Sequence, residues 1–102
     1  EDGFVTLLGV RVPLPEGVNR PVSVGIRPVH IQPAANGTPA RIETVEELGS
    51  ERAVHLSAEG RTFLAVIPTE PGKTLLRGDM LPVTFDPARV CLFDGDGAAL
   101  FR

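Results

Sequence analysis

The stretch RAVHLSAEGRTFLAVI (residues 52–67) indicates most clearly how this chain folds. Apolar and polar residues alternate over its first half, so that Val54 and Leu56 are predicted to point inward. A period of two is that of a half-buried β-strand, and the Glu59-Gly60 pair that follows predicts a turn. The chain then returns over residues 61–67 as an antiparallel partner. The stretch therefore predicts a β-hairpin.

The second strand of this hairpin is apolar at consecutive positions from Phe63 to Ile67. A strand with both faces covered has such a continuous apolar run. We therefore expect this strand to lie at the centre of its sheet.

Outward from the hairpin, the same signals predict strands at Val22–Arg27, Ala40–Glu47, Met80–Asp86, Arg89–Asp94 and Ala98–Phe101, and an edge strand from Phe4 to Gly9 that could reach Val12. Proline and glycine separate these strands, and we expect loops at Gln32–Pro39 and at Pro68–Gly78. Gly49 predicts a bulge or a sharp corner, where a Cβ would obstruct. About seven short strands without helical periodicity predict an all-β fold. Periodicity alone does not choose between a sandwich and a small barrel.

Length and composition exclude several classes of protein. A chain of 102 residues is expected to form a single domain over residues 1–102. The formal net charge of −3 gives no reason to expect nucleic acid as a partner. No apolar run approaches the ~18 residues of a membrane-spanning helix. The lone Cys91 cannot form an internal disulfide, and a start at Glu1 without an apolar leader is expected for an excised or processed piece.

The motifs that resemble nucleotide- or metal-binding sites do not have the residue spacing that such sites require. Residues 71–74, PGKT, end like a phosphate-binding loop, but Ile67 stands where its first glycine belongs, so we expect no nucleotide site. Residues 94–97, DGDG, start like a calcium loop and are expected to form a surface turn. His30, His55 and Cys91 are too far apart in sequence to predict a metal site. No cofactor, metal or catalytic residue is expected in this chain.

Charged residues around the predicted strands are expected to be structural. Glu43 and Glu47 are predicted on one face of their strand and Glu46 on the other, as part of a solvated surface. Arg27 ends a strand just before Pro28, and arginine pairs well with carboxylates. We expect Arg27 to form an ion pair with Glu46, or failing that with Asp94. A role in contacting a ligand or partner is the alternative.

Four short motifs follow one another along the chain: GIRPVH at residues 25–30, VEELGSE at 45–51, GD at 78–79 before the predicted strand LPVTFD, and LFD at 92–94. This series, from about Phe4 to Phe101, resembles the C-terminal regulatory segment of bacterial sugar-importer ATPases of the maltose type. In that family a nucleotide-binding domain is followed by a small β-barrel called a TOBE or OB-like domain. Val29 stands where the family usually carries an acidic residue.

The resemblance implies an OB-like barrel of mostly antiparallel strands with no chemistry of its own. It implies a regulatory and dimer-stabilising role in the ATP-binding subunit of an ABC importer, cytoplasmic and peripheral to the plasma membrane. The implied partners are the chain's own ATPase domain, a second copy, a regulatory protein and, through the parent subunit, the membrane permeases. The implied structural or regulatory residues are Arg27, Pro28, His30, Glu46, Gly49, Asp79, Phe93 and Asp94. The alternative function is a barrel that binds an oxyanion or another small solute.

Overall fold

The structure is a computed structural model that describes residues 4–14, 23–70, 73–93 and 99–101. Within these ranges the chain forms nine β-strands and two short 3₁₀ turns. The strands are β1 (Phe4–Leu7), β2 (Val10–Pro13), β3 (Ser23–Ile26), β4 (Ile31–Glu47), β5 (Glu51–Ala58), β6 (Arg61–Pro68), β7 (Met80–Phe85), β8 (Val90–Phe93) and β9 (Ala99–Phe101). The 3₁₀ turns are Pro28–His30 and Pro87–Arg89. The predicted all-β, OB-like fold is confirmed.

The described strands form three sheets in which neighbouring strands run antiparallel. The largest has four strands in the order β6-β5-β4-β7, a second has the order β3-β8-β9, and β1 pairs with β2. The predicted hairpin of residues 52–67 is present as β5 and β6, which pair without a break from Glu51↔Pro68 to Ala58↔Arg61. The predicted β-hairpin is therefore confirmed.

The prediction that the apolar strand Phe63–Ile67 is central was wrong, because β6 lies at the edge of the four-stranded sheet. One face of β6 is apolar because it contributes the buried Ala65 and Ile67 to the core. The other face carries Leu64 and Val66, which are only partly covered. The central strands are β5 and β4.

The predicted loop at Gln32–Pro39 was also wrong, because β4 is continuous from Ile31 to Glu47. Its pairing with β7 shifts register, since Pro33 and Thr38 both stand opposite Val83. Residues 34–37 therefore form a four-residue bulge in β4, and this bulge contains the asparagine and glycine that suggested a loop. Pairing with β7 on both sides of the bulge overrides the local composition.

The opening segment is a hairpin and not a single edge strand. Its turn residues Leu8 and Gly9 both have positive φ, 51° and 76°, as in the tight turns that join twisted strands. Leu8 is 4% exposed, and its N–H donates to Glu59 Oε1 (3.1 Å) while its carbonyl accepts from Thr38 Oγ1 (2.6 Å). These bonds attach the first hairpin to the β5–β6 turn and to β4.

The core lies on the inner faces of these sheets. Its fully buried large side chains are Val12, Ile42, Val54, Leu56, Val83, Val90 and Leu92. Five strands supply them, which joins the three sheets through one apolar cluster.

Candidate functional site

The GIRPVH motif forms a rigid corner between two sheets. β3 ends at Ile26, and the first 3₁₀ turn begins at Pro28, whose fixed φ and missing N–H suit the first position of a turn. The N–H of His30 donates to the carbonyl of Arg27 over 2.8 Å and closes the turn. The corner passes the chain from the three-stranded sheet to β4 of the four-stranded sheet.

The two 3₁₀ turns are joined by a side-chain hydrogen bond that sequence reasoning did not find. Arg89 Nη1 lies 3.2 Å from His30 Nε2 and donates to it. The other ring nitrogen of His30, Nδ1, is buried and has no hydrogen-bond partner within the described residues. Asp86 caps the second turn by accepting from the N–H of Ala88 at 2.9 Å. His30 and Arg89 are 59 positions apart in the sequence, so no local pattern could indicate this contact.

The predicted ion pair between Arg27 and Glu46 was wrong. Arg27 is exposed, and it makes no ion pair within the ranges that the structure describes. Glu46 Oε1 lies 3.4 Å from His55 Nε2 on the neighbouring strand, and the two side chains are 61% and 48% exposed. The alternative partner, Asp94, lies outside the described residues.

The acidic residues of β4 are distributed differently from the prediction. The pairing of β4 with β5 shifts register between Ile42 and Thr44, which reverses the alternation of side chains. Glu43 accepts from Ser57 Oγ at 2.6 Å, and Glu46 contacts His55, which is two residues from Ser57 on the same face of β5. Glu47 is on the other face, where it pairs with Arg52 at 3.2 Å. Glu43 and Glu46 therefore share a face, and Glu47 does not.

Gly49 lies in the turn between β4 and β5 with a φ of +93°. A Cβ at this position would meet nothing within 4 Å, so the expected steric obstruction was wrong and backbone conformation is the reason for glycine. Thr69 fastens the turn to the end of β6: its hydroxyl donates to the carbonyl of Gly49 and its N–H to that of Ser50.

Asp79 and Phe93 occupy structural positions in two different sheets. Asp79 acts through its backbone, because its carbonyl accepts from the N–H of Ile42 at 2.8 Å. The ring of Phe93 lies over Gly25, where a Cβ would be 3.2 Å from Phe93 Cε2. The predicted site residues that the structure describes are thus spread along turns and strand ends, and among them only Arg27, Pro28 and His30 come together. Their family role stays a prediction.

The PGKT stretch lies partly outside the described residues, which resume at Lys73. Residues 73–76 form an irregular connection and not the helix that a phosphate-binding loop requires. Lys73 Nζ lies 3.4 Å from Glu70 Oε1. Over the described ranges, no three metal-binding side chains come together and no helix has the length and apolarity to cross a membrane.

Taken together, three small antiparallel sheets, a shared apolar core and two 3₁₀ turns define a small all-β domain of the OB-like kind. Comparison with known proteins gives the family. The model of the TOBE domain matches residues 24–93, which include every described residue of the motif series. The chain belongs to the TOBE domain family.

Three relatives show where such a domain occurs. The sn-glycerol-3-phosphate import ATP-binding protein UgpC of Paracoccus denitrificans (strain Pd 1222) is 34% identical over 97 residues, covering 91% of this chain and 28% of that protein. The trehalose/maltose import ATP-binding protein MalK of Thermococcus litoralis is 35% identical over 121 residues, covering 99% of this chain and 32% of that protein. The UgpC of Jannaschia sp. (strain CCS1) is 36% identical, covering 92% of this chain and 27% of that protein. The chain thus spans about a third or less of these curated relatives.

Proposed function

We propose that this chain is the regulatory and dimer-stabilising domain of the ATP-binding subunit of an ABC importer for sugars or related small solutes. One observation carries the proposal: the TOBE match over residues 24–93 occurs in a chain whose relatives are named import ATP-binding proteins. Their names point to trehalose, maltose or sn-glycerol-3-phosphate as the kind of solute moved.

On this proposal the chain performs no chemistry and needs no cofactor. ATP would be bound and hydrolysed by the remainder of the subunit, since the chain spans about 28% of the Paracoccus relative and 32% of the Thermococcus relative. The subunit would work in the cytoplasm at the inner face of the plasma membrane, attached through the permease subunits. Its other partners would be a second copy of the subunit and a regulatory protein.

An exposed apolar turn supports a role in protein contacts. Leu76 and Met80 are 57% and 58% exposed and flank the turn that joins the 73–76 connection to β7. The turn is held in place because the N–H of Gly78 donates to the carbonyl of Ile42 at 2.7 Å, and the N–H of Asp79 to the carbonyl of Leu76 at 3.0 Å. Exposed apolar side chains mark a contact surface where they form a patch, and Leu76 and Met80 are the candidates for one at this turn.

The proposal is tested by removing this domain from the full-length subunit. We expect the truncated subunit to bind ATP as the parent does but to dimerise at least ~10-fold more weakly, because the domain contributes contacts across the two-fold axis. Sedimentation with ATP bound measures the dimer, and ATP turnover in the assembled importer measures the regulatory effect. A full-length Leu76→Ser/Met80→Ser variant tests the turn, with Lys73→Ser as the exposed control. Unchanged dimerisation and unchanged turnover in the truncated subunit would refute the proposal.

A further inference from the structure

A cleft separate from the family motif opens at one end of the four-stranded sheet. It has a volume of about 340 Å³, which is within the range of small-molecule pockets. Its wall includes the side chains that the argument below uses: Arg52, Ile67, Glu70, Lys73, Leu75 and Leu81. None of the residues that the family resemblance singles out lines it.

Arg52 is the unusual member of this wall. It lies on β5 on the same face as the buried Val54 and Leu56, and only 12% of its side chain is exposed. Its Nε–H donates to Glu47 at 3.2 Å, whereas the Glu47 side chain is 62% exposed. A guanidinium has five N–H donors, and the described residues engage only the one on Nε. The stem of Arg52 is largely covered, and the Nη donors of its guanidinium remain available to an anion in the cleft.

Lys73 supplies a second cation whose present partner is easily exchanged. Its Nζ lies 3.4 Å from Glu70, and the two side chains are 51% and 65% exposed. Exposed pairs of this kind are weak, so an anion in the cleft can compete with Glu70 for the ammonium group.

Apart from Gln32 and Glu70, the rest of the wall is apolar. Ile67 and Leu81 are 5% and 7% exposed and belong to the core, and the partly buried Leu75 packs against it. The cleft thus has two cations beside a surface that suits a short hydrocarbon body.

We propose that this cleft binds a small organic monoanion, with a carboxylate on Arg52 and Lys73 and an apolar body on Ile67, Leu75 and Leu81. The planar guanidinium fork matches a carboxylate. A dianionic phosphate is disfavoured because Glu47 and Glu70, which already pair with the two cations, repel a second negative charge. This binding activity is independent of the proposed role in dimerisation.

Titration of the isotope-labelled 102-residue chain with hexanoate, followed by nuclear magnetic resonance, tests the site. We expect saturable binding with a Kd of about 1 mM or below, and shifts centred on the side chains of Arg52 and Lys73 and on the methyl groups of Ile67, Leu75 and Leu81. Hexanol lacks the charge and inorganic phosphate lacks the body, so each should bind at least ~10-fold more weakly. Equal binding of hexanol, tighter binding of phosphate, shifts centred elsewhere or no saturation would each overturn the proposal.

Three variants test the roles of the charged side chains, two by weakening hexanoate binding and one by strengthening it. Arg52→Gln should weaken hexanoate binding ~10-fold by removing a charged donor, and Lys73→Gln should weaken it to a smaller extent. Glu70→Gln should strengthen it ~3-fold, because it releases Lys73 and removes a repelling carboxylate. Arg41→Gln, an exposed cation on β4 that does not line the cleft, is the matched control. If Arg52→Gln does not fold, the opposite effects of Lys73→Gln and Glu70→Gln on hexanoate affinity still test the site. Equal hexanoate affinities of these two variants would overturn the proposal.

Discussion

Two glycines show that one residue type can be required for different physical reasons. At Gly37 a Cβ would lie 2.7 Å from the carbonyl carbon of Val83 and 2.8 Å from its nitrogen. Because these atoms are backbone, no flexible side chain can move to relieve the overlap. At Gly49 there is open space, and the φ of +93° alone disfavours a side chain.

Alanine substitution should therefore cost more at Gly37 than at Gly49. We expect Gly37→Ala to lower the free energy of unfolding by about 2–3 kcal/mol through overpacking of the bulge against β7. Gly49→Ala should cost about 1 kcal/mol through backbone strain, and Gly49→Asn less, since asparagine tolerates positive φ. Urea unfolding of the three variants measures the order. Gly37→Ala at parental stability would show that the bulge adapts without cost.

The arginines give a second test at the residue scale. Arg27 is exposed and unpaired within the described residues, so Arg27→Ala should change the free energy of unfolding by no more than ~0.5 kcal/mol. Arg52→Ala should cost about 1–2 kcal/mol, because its largely covered stem packs at the end of the core. Thermal or urea unfolding compares the two with Lys73→Ala as the surface control. A larger loss of stability for Arg27→Ala than for Arg52→Ala would show that Arg27 makes a stabilising contact beyond those of the described residues.

At the scale of elements, local sequence patterns predicted well which residues form strands but predicted poorly which strands pair with one another. The alternation in β5 and the Glu59-Gly60 turn depend on adjacent residues, and both are present. Whether β6 is central or at an edge depends on where the distant strand β7 pairs. β7 pairs with β4, at the opposite end of the sheet from β6. The bulge opposite Val83 likewise depends on a strand more than 40 residues away. A local reading of proline, asparagine and glycine could not distinguish it from a loop.

Amide hydrogen exchange checks the strand order directly. We expect amides of β5 to exchange more slowly than those of β6, because β5 is bonded on both sides and β6 on one. Alternate amides of β6, those that do not face β5, should exchange fastest. The other edge strand, β7, is the internal control and should also show alternation. Uniform protection along β6 would mean that a further strand covers its outer edge.

At the scale of the whole molecule, the order of the motifs predicted the family better than it predicted a site. The family match covers residues 24–93, but the motif residues that the structure describes hold turns and strand ends in separate sheets and do not converge on one point. The contacts that sequence reasoning missed, His30 with Arg89 and Glu47 with Arg52, each involve a residue to which no role had been assigned. Such pairs become visible only when the strand register is known.

The chain alone should not bind ATP. Lys73 stands in an irregular connection, so it lacks the helix N-terminus that would place backbone N–H groups around a phosphate. Calorimetry with ATP and magnesium should give no saturable heat at micromolar concentrations. The full-length subunit is the positive control, and micromolar binding by the 102-residue chain would show that the PGKT stretch functions.

The last prediction concerns self-association of the chain. A two-fold contact is self-complementary, so a modest patch is used twice. Association nevertheless costs several kcal/mol of translational and rotational entropy, and a patch well below ~800 Å² per partner does not offset that cost. Leu48, Leu76 and Met80 are large apolar side chains exposed next to fixed turns, and three residues are a small share of such an area. We therefore expect a monomer or a weak dimer, with the full-length subunit pairing more tightly because its other domain adds surface. Sedimentation over a wide concentration range decides this, and a nanomolar dimer of the chain alone would show that these sheets contain a complete interface.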